Sequence, residues 1–175
     1  GGEDRVDDRE ILRRFMELSG GAQARLRFIT GATNDPKGAE QAYGAAMGGL
    51  GAQDVRFLHL AEAQDAAQPA LLEELRQADG VFITGGDQAR LMGKLWSTPA
   101  MQALHQAVRE RGICLAGTSA GAVAMSRAMI AHGPAVVVPQ KEAVSLDLGL
   151  NFLPQAMVDQ HFSQRRRLSR LLSAL

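Results

Sequence analysis

Cysteine is nearly absent. Cys114 is the only one, so no disulfide can close within the chain, and its apolar run reads as the setting of a buried, inert thiol. Net charge is absent as well, because 19 Lys and Arg balance 19 Asp and Glu. No global field therefore draws the protein to nucleic acid or to an anionic membrane surface. Aromatic residues make up only 5%, which also argues against a nucleic-acid site. No apolar run is long enough to span a bilayer, and no signal peptide is visible. Clustered Cys/His metal ligands and a G-x-x-x-x-G-K phosphate loop are both lacking. The expectation is a cytoplasmic protein without metal or other cofactor, with neither nucleic acid nor membrane as a partner.

What is present suits one α/β domain spanning residues 1–175. Both ends read as cut: Gly1-Gly2-Glu3-Asp4 has no strand before it, and Leu175 falls inside a helical pattern. Ile11, Leu12, Phe15, Met16 and Leu18 repeat at helical spacing up to Gly20-Gly21. Strands are predicted over Leu26–Thr30, Val55–Leu60, Gly80–Thr84 and Ile113–Gly117, and helices over Ala39–Leu50, Pro69–Gln77, a short segment after Gln88, and Pro99–Arg111. Short apolar strands alternating with helices mark a mostly parallel sheet covered on both faces. Such sheets bind ligands beyond the carboxyl ends of their strands. Further on, Val136–Val138 and Ala156–His161 read as strands and Arg165–Leu175 as a helix.

The fourth strand runs into Gly117-Thr118-Ser119-Ala120-Gly121. A serine hydroxyl attacks only when it is held beside a base. A sharp strand-to-helix turn lifts it above the sheet and points the next N–H at a developing oxyanion. Gly117, Ala120, Gly121 and Ala122 are all small, as so tight a turn requires. The competing reading is a plain turn with a helix-capping serine. Four histidines are candidate bases: His59 lies in a strand, His105 on an amphipathic helix, and His132 after a Met-Ile-Ala run. His161 ends a predicted strand, where active-site residues collect. The acids between Ser119 and His161 are Glu142, Asp147 and Asp159; Asp159 would share a strand face with His161. Arg165, Arg166, Arg167 and Arg170 follow at helical spacing. Arginine grips carboxylates bidentately, so this run suits an acidic substrate or, alternatively, a solvated face.

Gly85-Gly86-Asp87-Gln88, then Gly117–Ala122, then Asp159-Gln160-His161-Phe162 with Arg165, Arg167 and Arg170, resemble cyanophycinase, a family of serine peptidases related to aspartyl dipeptidase. Gly1–Asp4, Leu148-Gly149-Leu150 and Phe152-Leu153-Pro154 extend the similarity over nearly the whole chain. The resemblance implies a flavodoxin-like, class I glutamine amidotransferase-like three-layer sandwich. It implies an exo-acting hydrolase of cyanophycin, a poly-aspartate with arginine on each side-chain carboxyl, releasing β-aspartyl-arginine through an acyl-enzyme. Ser119 would be nucleophile and His161 base. The N–H groups of Gly86 (or Gly85) and Ala120 would form the oxyanion hole. Gln88, Asp159, Gln160, Arg165, Arg167 and Arg170 would bind substrate, and a homodimer is implied. One departure stands out. The family's triad acid is a glutamate well after the histidine, and Ala131-His132-Gly133-Pro134 offers no aspartate where the related dipeptidases carry theirs. An acid beyond Leu175, a dipeptidase-like specificity, or a non-catalytic binding relative would each accommodate this. A lipase-like esterase shares the serine turn, but an arginine-rich neighbourhood does not suit an apolar acyl group.

Overall fold

The computed structural model describes residues 2–134, 136–140 and 143–174. Its frame is a four-stranded parallel sheet, β1 (Arg25–Ile29), β2 (Asp54–Leu58), β3 (Gly80–Ile83) and β4 (Cys114–Gly117), in the order β2-β1-β3-β4. Side chains alternate across it. Leu26, Phe28 and Phe82 pack with α1 (Glu10–Leu18) and α2 (Pro36–Gly49), whereas Ile29, Val81 and Ile83 pack on the other face. That face is covered by α3 (Pro69–Gln77), α4 (Gln88–Leu95), α5 (Pro99–Arg111) and the short α6 (Ala120–Ala124). The few aromatics are concentrated in the first layer: Phe28 meets Phe82 at 5.3 Å, Phe57 at 5.4 Å and Tyr43 at 5.2 Å between ring centroids. Rings at such separations add to their area burial.

One strand residue breaks the apolar pattern. Arg27 is 2% exposed. Its guanidinium is neutralised by Glu74 of α3 at 2.6 Å and Asp54 of β2 at 2.8 Å, the pairing that a buried cation needs. Helix starts follow their sequence signals. Asp35, Asp87 and Thr98 accept hydrogen bonds from Gly38, Arg90 and Met101 N–H, and Pro36 and Pro99 occupy first turns. Ahead of α1, the Asp4 carboxylate accepts from the N–H groups of Val6, Asp7, Asp8 and Arg9.

After α6 the architecture changes. An antiparallel hairpin pairs β5 (Ala128–His132) with β6 (Ser145–Leu148). Neither expected late strand forms: Val136–Val138 and Ala156–His161 are irregular, and Val137 is 95% exposed. The last helix, α7 (Leu168–Leu172), is shorter than predicted, because residues 162–166 form turns. Glu142, Gly1 and Leu175 lie outside the described residues. Among those described, no helix is long and apolar enough to cross a membrane.

Candidate active site

Strand order reverses around β1, since β2 lies on one side and β3 and β4 on the other. At such a switch point the loops after neighbouring strands leave in opposite directions and open a crevice. A cavity of about 420 Å³ occupies it, walled by Thr33 after β1, Thr84, Gly85 and Gly86 after β3, and Thr118 and Ser119 after β4. Its far wall includes Glu3, Arg5 and Tyr43. The Tyr43 hydroxyl donates to Glu3 at 2.6 Å, and burial, with the Glu3 charge beside it, pushes that hydroxyl's pKa well up. Arg5 lies over the ring at 5.2 Å. Glu3 lies in the Gly1–Asp4 stretch of the resemblance, but Arg5 and Tyr43 carry no motif, and only the fold brings the chain's start to the crevice.

Ser119 sits at the bend with φ 50° and ψ −116°, a conformation that side chains other than glycine seldom adopt and that marks functional turns. Gly121 explains how the bend fits against the sheet: a Cβ there would strike the Ile83 carbonyl. Gly86 plays the matching part on the neighbouring loop. Its φ is 141°, and a Cβ would run into the Ala32 carbonyl. Asp87 then caps α4. Among the described residues the Gly86 N–H has no backbone acceptor, and Ala120, as first residue of α6, has none within its helix.

His161 comes from the irregular segment rather than from a strand end. Its Nε2 lies 3.2 Å from Ser119 Oγ. The left-handed backbone at His161, φ 47°, is fixed from both sides: Arg165 N–H donates to His161 O at 2.9 Å, and Arg167 Nη1 donates to Gln160 O at 2.7 Å. Desolvation lowers the imidazole pKa below its ordinary value, and the cations Arg165 and Arg167 lower it further. Both effects favour the neutral ring, the form a proton acceptor needs.

The Ser119 hydroxyl also donates to Gln160 Oε1. It has one proton, so Gln160 and His161 are alternative acceptors. The amide orientations follow from a chain of contacts. Gln88 Nε2 donates to the Ile130 and Ala131 carbonyls at 2.9 and 2.7 Å, which leaves Gln88 Oε1 to accept from Gln160 Nε2 at 3.4 Å. Gln160 Oε1 is thereby turned toward Ser119. Hairpin strand β5 thus reaches the nucleophile through two amides.

Asp159 does not orient the imidazole. Its side chain is 1% exposed and lies 3.6 Å from Arg167 and 3.5 Å from Arg170, while Oδ1 accepts from Gln160 N–H at 2.8 Å. Arg170 also donates to Gly133 O at 2.8 Å. Asp159 Oδ2, Arg167 Nε and Arg170 Nε remain without hydrogen bonds, a buried charge cluster paired by field more than by contact. Arg165 alone of the expected substrate-binding arginines is exposed. Asp147 lies on β6, paired with Met129. The other histidines are elsewhere: His105 stacks on Phe152, His59 bonds Thr30 and Glu40, and His132 ends β5. Among the described residues no carboxylate contacts the His161 ring.

The model of peptidase family S51 matches residues 1–175. The chain is 39% identical over 175 residues to a protein of Trichormus variabilis named cyanophycinase, covering all of this chain and 59% of that protein. It is 38% identical to a cyanophycinase of Geminocystis herdmanii, covering all of this chain and 64% of that protein. The chain thus spans about three fifths of these relatives' length. The crystal structure of a peptidase from an acI-B1 Actinobacterium superposes with a TM-score of 0.76 at 22% identity, over 95% of this chain and 68% of that one, and shows the same fold. With its serine bend, switch-point crevice and full-length match, the chain belongs to peptidase family S51.

Proposed function

We propose that the protein is a serine-type exopeptidase that hydrolyses cyanophycin to β-aspartyl-arginine, with Ser119 as nucleophile and His161 as general base. The observation that carries this reading is the 3.2 Å approach of Ser119 Oγ to His161 Nε2 above the strand-to-helix bend. Identity of 38–39% to proteins named cyanophycinase supports the substrate. In the reaction, Ser119 Oγ attacks the scissile carbonyl carbon while its proton passes to His161 Nε2. The oxyanion takes hydrogen bonds from the Gly86 and Ala120 N–H groups, with Gly85 as near alternative. The tetrahedral adduct then collapses, the C–N bond breaks, and the imidazolium returns the proton to the leaving amine. Water, deprotonated by the same imidazole, hydrolyses the acyl-serine.

Arg165, which is exposed, meets a substrate carboxylate in this reading. Gln88, Asp159, Gln160, Arg167 and Arg170 are engaged with one another and with Ser119, and in this reading they meet substrate while keeping the contacts that hold His161 in place. The protein acts in the cytoplasm, as a homodimer in the family's manner. The lack of a carboxylate on His161 among the described residues favours a second reading, a relative that binds the polymer without turnover. An orienting acid is worth about four orders of magnitude in rate.

Incubation with cyanophycin, followed by chromatography of β-aspartyl-arginine, separates these readings. Release is expected, and Ser119→Ala is expected to reduce it about 10⁴-fold or more; equal release by that variant rejects the assignment. Binding without release, by an intact fold, favours the second reading. Asp-X dipeptides in a parallel assay separate a dipeptidase from a polymer hydrolase.

A further inference from the structure

The carboxyl-terminal rim of the sheet carries a second cavity beside the one at Ser119. It measures about 440 Å³, and Thr33 belongs to the walls of both. Lys94 and Arg90 of α4 form one side, while Thr30 and His59, at the ends of β1 and β2, form another. No Asp or Glu stands among its described walls.

Its two cations lack an anion. Among the described residues neither Lys94 nor Arg90 is in an ion pair. Lys94 Nζ donates to the Gly31 and Leu60 carbonyls at 3.0 and 2.8 Å; an ammonium has three donors, so one is left. Arg90 spends Nη1 on Ala32 O at 3.2 Å. Asp65 is the acid whose field reaches Lys94, but its carboxylate is taken up by Ala61 and Glu62 N–H and by Gln68. Burial and the nearby Arg90 charge depress the Lys94 pKa, as expected of cations gathered without a counter-ion. Thr33 Oγ1 accepts from Asp35 N–H at 3.0 Å, which leaves its own proton to donate. His59 is wall rather than donor, since Thr30 at 2.8 Å and Glu40 at 2.9 Å occupy both ring nitrogens.

The strand order places this cavity at a definite reach from Ser119. From β4 to the ends of β1 and β2, which carry Thr30 and His59, is two to three strand spacings, roughly 10–14 Å, or about three to four residues of extended chain. We propose that this cavity is an accessory subsite for a carboxylate of a peptide whose reacting bond lies at Ser119. The inference rests on the peptidase reading, and it explains how a repeating polymer would be held several residues from the cleavage point.

Two substitutions test it with β-aspartyl-arginine oligomers of two and eight repeats. Asn34→Asp places a negative charge in the wall at an exposed loop position. It is expected to raise KM for the eight-repeat oligomer about fivefold, with kcat and the two-repeat KM unchanged. Lys94→Gln is expected to act in the same direction, with Lys94→Arg restoring the wild-type value. Equal KM changes on both oligomers, or none on either, overturn the proposal. Calorimetric titration with tetra-aspartate reads the subsite without catalysis. Binding that Asn34→Asp weakens, in a protein that cleaves neither oligomer, sinks the peptidase reading and leaves the subsite standing. Inorganic phosphate binding as tightly as tetra-aspartate shows a plain anion site and overturns the peptide subsite.

Discussion

Ser119 and His161 come from regions built on different physical principles. The nucleophile stands on the parallel sheet, where strand ladders and two apolar layers fix the backbone. The base stands on a segment without regular structure, positioned by guanidinium groups that take the place of ladder partners: Arg167 on Gln160 O, Arg170 on Gly133 O, and both beside Asp159. Apolar burial is non-directional and tolerates small shifts. A buried charge cluster is worth little when replaced whole and much when broken. The scaffold is therefore expected to govern stability, and the arginine cluster to govern the alignment of the reacting pair.

The sharpest break of that comparison sets Phe28→Ala against Asp159→Asn. Phe28→Ala is expected to cost about 3–5 kcal/mol of global stability by opening a core cavity, whereas Asp159→Asn leaves two buried guanidiniums unpaired and is expected to loosen only the segment they hold. Thermal unfolding should move down by roughly 10 °C for Phe28→Ala, with kcat at 25 °C little changed. Asp159→Asn should leave the main transition nearly in place, loosen hydrogen-exchange protection over residues 156–172, and lower kcat by about 100-fold, since a misplacement near 1 Å has that effect. The opposite partition of stability and rate would refute the division of labour.

A smaller effect is expected at the amide relay. Gln88→Leu removes the group that fixes the Gln160 amide, and both amides meet substrate in the proposed reading, so kcat should fall about tenfold and KM should rise with it. An unchanged kcat would show that Gln160 is oriented without it. The smallest effect is a shift in pH profile. Arg165 helps hold the His161 pKa down, and activity needs the neutral ring. Arg165→Ala therefore raises that pKa, and the acid limb of kcat/KM moves to higher pH; the loss is larger at pH 6 than at pH 8. An unmoved limb would assign that limb to another group.

The same contrast explains what was legible beforehand. The four sheet strands match their apolar runs within two residues; β1 and β3, buried along nearly their whole length, announce themselves locally, and the partly buried β2 and β4 keep short apolar runs of their own. The serine bend was legible as a run of small residues after an apolar strand, although one contact that demands smallness, Gly121 against the Ile83 carbonyl, is made across the sheet. The hairpin of β5 and β6 was not legible. Its register joins Ala128 to Leu148; Ser145-Leu146-Asp147-Leu148 does alternate, but over only four residues, all of them exposed, too short a run to mark a strand. Met157 and Val158 suggested a strand up to His161, but the arginines that hold this segment act through side chains, which no period encodes. Glu3, Arg5 and Tyr43 entered the crevice wall only through tertiary folding.

The pairing of Ser119 with His161 is tested most directly by a serine-reactive phosphonate, followed by peptide mapping of wild type and His161→Ala. The account predicts selective modification of Ser119, slowed about 10³-fold or more in the variant. Modification of Ser119 at equal rates in both proteins would contradict it.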